Sequence, residues 1–270
     1  METLQLFGYA GALALGMVMG TTGSGGSAMA VPMFNYLFLM DMHAATAHTL
    51  FVVGVSAMVG VLLNLGRQKV DWQLSLLFSI PMIIAVYGVR RFLLPMIPEI
   101  LFELKPYGLT IGKDLCIMLL FGLLMALSAF FTIKDKGGRY RFGKASRNRK
   151  FPIGLLGIVI GVLTGITGTG GGFLIVPVLL IFLKIPIKKA IATSLLIIAL
   201  KSFSGFMGDL GQIQIDWLLL SSFTALSLTG MFLGVQCSHR LAEKNLKKGF
   251  GYMILGISFF VFYKELSGLV

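Results

Sequence analysis

Two short glycine clusters hold the residues best suited to chemistry. They are TTGSGG at 21–26 and TGTGGG at 167–172. Glycine at Gly23, Gly25, Gly26, Gly168, Gly170, Gly171 and Gly172 permits positive φ and close backbone approach. The hydroxyls of Thr21, Thr22, Ser24, Thr167 and Thr169 add neutral donors. Residues 27–32 and 172–177 read as helix starts, whose unpaired N–H groups and partial positive charge suit an oxyanion. Lys201 lies inside the apolar run AIATSLLIIALKSFSGFMG, and an ionisable group at such a place is a functional candidate by default. These residues together form an expected anion-binding set, with Lys201 as counter-charge. His48, whose imidazole is a candidate carrier of a coupling proton, and Asp209 are the expected coupling groups. Two plainer readings compete. The glycines only let helices pack closely, and Lys201 either snorkels to the interface or pairs with Asp209.

Other chemistries fit less well. Neither cluster has the Lys-Ser/Thr of a phosphate loop, and GSGG at 23–26 is not a nucleophile elbow. His43, His48 and His239 form no metal pattern, and no cofactor is expected. A membrane serine hydrolase built on Ser24 and His48 has little else in the sequence to support it. The chain reads as a non-enzyme.

The elements around the clusters belong in a membrane. Of 270 residues, 56% are hydrophobic and 13% charged, about half the charged share of a soluble domain. The mean hydropathy is +0.89. Cys116 and Cys237 both lie in apolar surroundings, which excludes a disulfide scaffold. The net charge of +12 sits mostly between apolar blocks, so it orients spans rather than binding nucleic acid. METLQLFGYA lacks a basic n-region and a cleavage site, so it is expected to begin the mature protein.

The sequence is also written twice. One offset of 145 residues aligns Gly16–Trp72 with Gly161–Trp217 without a gap, with 16 identities in 57 positions. Gly-rich clusters, Val31-Pro32 with Val176-Pro177, and Asp71-Trp72 with Asp216-Trp217 keep one register. Each Asp-Trp pair reads as an N-cap followed by an interfacial anchor. The organisation is a first repeat at 1–133, a basic linker at 134–150 and a second repeat at 151–270. Each repeat has five apolar elements: 4–20, 27–40, 44–66, 72–90 and 115–133, then 152–167, 172–184, 190–208, 217–237 and 249–266. The last three of each set are long enough to cross. The first two are short, since 16 and 13 residues give roughly 24 and 20 Å against about 30 Å of hydrocarbon.

Positive charge chooses the topology. With each glycine cluster as the tip of a hairpin, the linker, the Lys184–Lys189 loop and the Arg240–Lys248 loop all face the cytoplasm. With each cluster as a mere interruption of one span, they face the wrong side. The hairpin reading puts Arg90 and Arg91 toward the exterior, where they would meet anions or lipid headgroups. Arms that cross steeply would give the same sides, so re-entrant and fully crossing arms stay open. The expected fold is an all-α polytopic membrane protein of two inverted repeats, each with a glycine-tipped broken-helix hairpin. The tips would meet near the midplane, as in inverted-repeat transporters.

The motifs GxxxGTTGSGGSAMAVPMF (16–34) and GVLTGITGTGGGFLIVPVLL (161–180) resemble the signature of the sulfite exporter TauE/SafE family. Segments 44–72 and 190–217 resemble the family's next element. The resemblance implies a secondary transporter, an exporter of sulfite, sulfonates or related organosulfur anions, in a bacterial inner membrane. Lys201, where the first half has Ser56, and the long 91–113 excursion leave the substrate open. The expected partners are a small anion and membrane lipid, with no nucleic acid and with a homodimer left open. The alternative is a passive anion channel. A structural membrane scaffold is a third reading.

Overall fold

In the computed structural model, residues 2–23, 26–64, 70–104, 109–134, 150–169, 171–183, 185–240 and 243–267 are described. Ten helical segments follow the ten apolar elements. In the first half they are α1 (Glu2–Thr22), α2 (Ser27–Pro32, widening into a π turn at Met33–Leu37), α3 (Met42–Asn64), α4 (Trp72–Met96) and α5 (Lys113–Lys134). In the second half they are α6 (Lys150–Thr167), α7 (Gly172–Ile181), α8 (Ile187–Asp209), α9 (Trp217–Arg240) and α10 (Glu243–Ser267). Asp71 accepts from Leu74 N–H, and Asp216 from Leu218 and Leu219 N–H, so both cap their helices. Trp72 and Trp217 beside them are exposed, as interfacial anchors are.

Among the described residues, six helices are long and apolar enough to cross a membrane: α3, α4, α5, α8, α9 and α10. Large apolar side chains such as Ile84, Phe131, Leu218 and Phe259 stay exposed on the outside, as a lipid-facing surface requires. The most enclosed spans are α3 and α8. They pack on each other in opposite directions. Gly54 lies against Ser202 and Phe203 at mid-length, and His43 at the start of α3 reaches Asp209 at the end of α8.

The packing pairs obey one exchange rule, in which each helix of the first half swaps with the helix five later. Helix α1 packs along α9, and α6 along α4; α2 meets α3 and α10, while α7 meets α8 and α5. The close crossings use glycine. A Cβ at Gly16 would fall 1.9 Å from Ser227 O, and one at Gly157 would fall 2.6 Å from Phe78 O. The first arm of each glycine motif therefore packs against the fourth helix of the other half.

The 91–113 excursion differs from the expected loop. Helix α4 runs on through a π turn at Val89–Leu93 to Met96. An antiparallel ribbon follows, β1 (Ile100–Leu104) with β2 (Leu109–Gly112), a small addition to a fold that is otherwise helical among the described residues. A two-stranded ribbon leaves backbone groups unpaired, so its place is between span ends.

Candidate functional site

The second glycine cluster builds a polar pocket inside the helices. Thr167 ends α6, Gly168 and Gly171 take φ of +61° and +59°, and α7 starts at Gly172. Left-handed backbone at both glycines lets the chain reverse within a few residues. Two buried basic side chains face this turn. A Cβ on Gly171 would stand 3.0 Å from Lys201 Nζ, and one on Gly168 would stand 2.8 Å from Arg90 Nη1. Lys201 and Arg90 are both 0% exposed. Among the described residues, neither Lys201 Nζ nor Arg90 Nη1 has a hydrogen-bond partner. Thr167 and Thr169 are fully buried beside them, with hydroxyl oxygens 3.2 Å apart. The first N–H groups of α7 have no partner within their own helix, as at any helix start. Ser128 of α5 donates to Phe173 O and fixes that start in place. The turn therefore gathers cationic N–H groups, hydroxyls and a helix N-terminus, all donors to an anion's oxygens.

Asp209 holds the other side of Arg90. Arg90 Nε lies 2.9 Å from both carboxylate oxygens, and Nη2 donates to Oδ2 as well. Nη2 also donates to Thr46 Oγ1 at 2.9 Å. His43 Nε2 lies 3.3 Å from Asp209 Oδ1. His43 and Thr46 form part of the wall of a cavity of about 400 Å³. Exposed Asp41, Glu99 and Asp114, with Lys113, line its polar side, and Ile166 lines it one residue before Thr167. The cavity thus runs from solvent-exposed carboxylates to the residues that hold Arg90 and the turn.

The first glycine cluster is built differently. Gly23 has φ +79°, but Gly26 is right-handed at −60°. The hydroxyls of Thr21 and Thr22 donate back to Val18 O of their own helix. A Cβ on Gly23 would meet Ile191 of α8, and one on Gly26 would fall 2.2 Å from Leu15 O of α1. Ser24, Gly25 and Gly170 lie outside the described residues. The two turns do not converge. Gly23 meets Ile191 near the start of α8, and Gly168 meets Thr46 near the start of α3, which runs the opposite way. Of the expected set, Thr167, Gly168, Thr169, Gly171, Gly172 and Lys201 come together, while Thr21, Thr22, Gly23 and Gly26 stay with the other turn.

The expected coupling groups separate too. Asp209 joins the cluster through Arg90, not through Lys201. Lys201 does not snorkel, because it is wholly enclosed. His48 is buried but bonds its own helix, Nδ1 to Ala44 O at 2.8 Å. The region 135–149, most of the linker, lies outside the described residues.

A model of the sulfite exporter TauE/SafE family matches residues 8–261. The chain belongs to that family. A probable membrane transporter protein of Xylella fastidiosa is 27% identical over 95% of this chain and 94% of its own length. The probable membrane transporter proteins MJ0441 of Methanocaldococcus jannaschii (22%; 86% of this chain, 87% of its own length) and YdhB of Bacillus subtilis (24%; 86% and 90%) are similar as well. No solved structure matches the chain. Family membership and six candidate spans make this TauE/SafE chain a multi-pass membrane protein.

In this TauE/SafE chain the residue that sequence reasoning missed is Arg90. The sequence reading sets it toward the exterior, to meet anions or lipid headgroups; the structure encloses it fully, away from any headgroup. Apolar length ended the fourth element at 90, while the helix continues to Met96 and puts the arginine inside the span. The signal was available in Asp209, a carboxylate within an apolar helix that needs a buried cation. His43 and Thr46 were missed with it, because they join the cluster only through Arg90 and Asp209.

Proposed function

We propose that the chain is a secondary carrier of small oxyanions, of the sulfite and sulfonate kind, and that it binds them at the second glycine turn. The observation that carries this reading is the pair of enclosed basic nitrogens, Lys201 Nζ and Arg90 Nη1, both unpaired among the described residues and both against that turn. A buried cation without an acceptor is costly, and an oxyanion removes the cost. Lys201 and Arg90 supply charge, Thr167 and Thr169 supply hydroxyls, and the start of α7 supplies backbone N–H groups. Arg90 enters the set, and the first turn leaves it.

The exchange rule of the packing and the opposed directions of α3 and α8 support two inverted repeats. With the 134–150 linker on the cytoplasmic side of a bacterial inner membrane, the ends of α4 and α8 face outward. The cavity beside His43 is then the exterior entrance, and rocking one set of helices against the other exposes the site to each side in turn. Sulfite flux into proteoliposomes tests the proposal. A saturable flux accelerated by counterflow and lost in Lys201→Gln, with helicity retained, is the expected result. Flux that never saturates favours the passive channel, and unchanged flux in Lys201→Gln overturns the site.

A further inference from the structure

We propose that Lys201 is also the proton carrier of this site, neutral when the site is empty and protonated when an anion is bound, so that one proton travels with each monovalent anion. The proposal rests on the anion-carrier reading above. It follows from counting the enclosed charges. Among the described residues, the buried acidic and basic side chains are Arg90, Lys201, Asp209 and His48, and His48 sits apart, bonding Ala44 O of its own helix and packing on Phe34. Arg90 and Asp209 neutralise each other through several hydrogen bonds. That leaves Lys201 with no carboxylate of its own and no hydrogen-bond acceptor among the described residues. The neighbouring Arg90 adds like charge from α4. A bare ammonium there would be an uncompensated buried charge, whereas a neutral amine would not. An arriving anion changes the sum. With the ammonium formed, two cations face one carboxylate and one anion, and the enclosed charge is zero.

The other groups near this cluster already have assignments. Thr164, whose methyl lies under Gly171, does not titrate, and neither do Thr167 and Thr169 of the same turn. From α3, His43 reaches Asp209 and Thr46 reaches Arg90, not Lys201. Tyr87 and Arg91 flank Gly208 on the far side of Arg90. Asp41, Glu99, Lys113 and Asp114 line the cavity, where water screens them. The proton is taken up from water as the anion enters, N–H bond for lone pair, and no other reactant is needed.

The experiment titrates the purified full-length protein with methanesulfonate, which stays ionised throughout, in two buffers of different ionisation enthalpy. The expected result is uptake of about one proton per anion, with affinity rising about tenfold for each unit the pH falls. In Lys201→Arg, which keeps its charge, the expected result is binding with no proton uptake and no such slope. If that variant does not fold, His43→Gln decides. Proton uptake that survives in it supports Lys201; uptake lost in it moves the proton to His43 and overturns the proposal. Methanesulfonate binding to the native protein without proton uptake also overturns it, and leaves the anion site standing. Failure of methanesulfonate, sulfite and sulfate alike to bind overturns the carrier reading itself.

Discussion

The two glycine turns occupy equivalent places in the fold and differ in what surrounds them. Gly168 meets Thr46 of α3, and its repeat mate Gly23 meets Ile191 of α8, which are themselves repeat mates. Around the second turn stand Arg90, Lys201 and Asp209. The positions related to them by the same offset hold Val235, Ser56 and Asn64. Ser56 bonds Ser227 at 2.9 Å, Asn64 donates to Gly60 O at 2.7 Å, and Val235 packs on Gly20. The scaffold alone therefore does not make a site. One copy keeps the turn as a packing device, and the other adds charge to it. The plainer reading of the glycines, as close-packing surfaces, describes the first turn well and the second only in part.

That contrast can be broken from its charged side. Arg90→Met leaves Asp209 enclosed with only His43 beside it and should cost about 3–5 kcal/mol, read as lost thermal stability in detergent. Val235→Met at the matching place adds volume but strands no charge, and should cost about 1–3 kcal/mol. Adding Asp209→Leu to Arg90→Met should return much of the stability, since a buried ion pair replaced by apolar groups is often neutral. It should not return anion binding. Lys201→Gln comes next. Losing one charge-assisted hydrogen bond is worth about 1.5–3 kcal/mol, so sulfite affinity should fall by roughly ten- to a hundredfold. Ser56→Ala should leave it unchanged.

The turns can also be compared through their backbone. Gly168→Ala places a methyl on Thr46 at positive φ, a conformation that costs an ordinary residue about 1–2 kcal/mol before the clash is counted. It should weaken both stability and binding. Gly26→Ala has a permitted right-handed φ and its nearest neighbours are Leu15 and Met19 of α1, so its loss should appear in stability alone.

The smallest effect lies at the opposite ends of α4 and α8. Lys189 Nζ lies 2.7 Å from Asp71 Oδ2. Partial burial pushes the Asp71 carboxyl up, but the hydrogen bond from Lys189, the Leu74 N–H and the lysine charge hold it below its ordinary value on balance. A depressed carboxyl stabilises the fold above its unfolded pKa and loses that contribution as pH falls through its folded one. Lys189→Met should therefore lower the melting temperature slightly at neutral pH, by well under about 1 kcal/mol for so exposed a pair. The difference should vanish once Asp71 is protonated.

Much of the scaffold was legible because membrane helices are long apolar runs and glycine clusters interrupt them. The Asp-Trp starts of α4 and α9 and the five elements per half follow from that alone. What stayed hidden depended on length and on partners. Counting only apolar residues shortened the first arms. Helix α1 begins at Glu2 and α6 at Lys150, giving 21 and 18 residues, or about 31 and 27 Å. Longer arms carry the turns further, so Gly23 stands against the start of α8 and Gly168 against the start of α3. Lys201 was visible as a lone charge in an apolar run. Arg90 was not, because the pair Arg90-Arg91 resembles the end of a span until Asp209 is known to face it.

Crystals soaked in selenite, an oxyanion whose selenium scatters anomalously, test the central claim most directly. The account predicts one peak within hydrogen-bonding distance of Lys201 Nζ and Arg90 Nη1, beside Gly171, and no peak at Gly23. A peak at the Gly23 turn, or native crystals with none at either turn while selenite is carried across proteoliposome membranes, would contradict it.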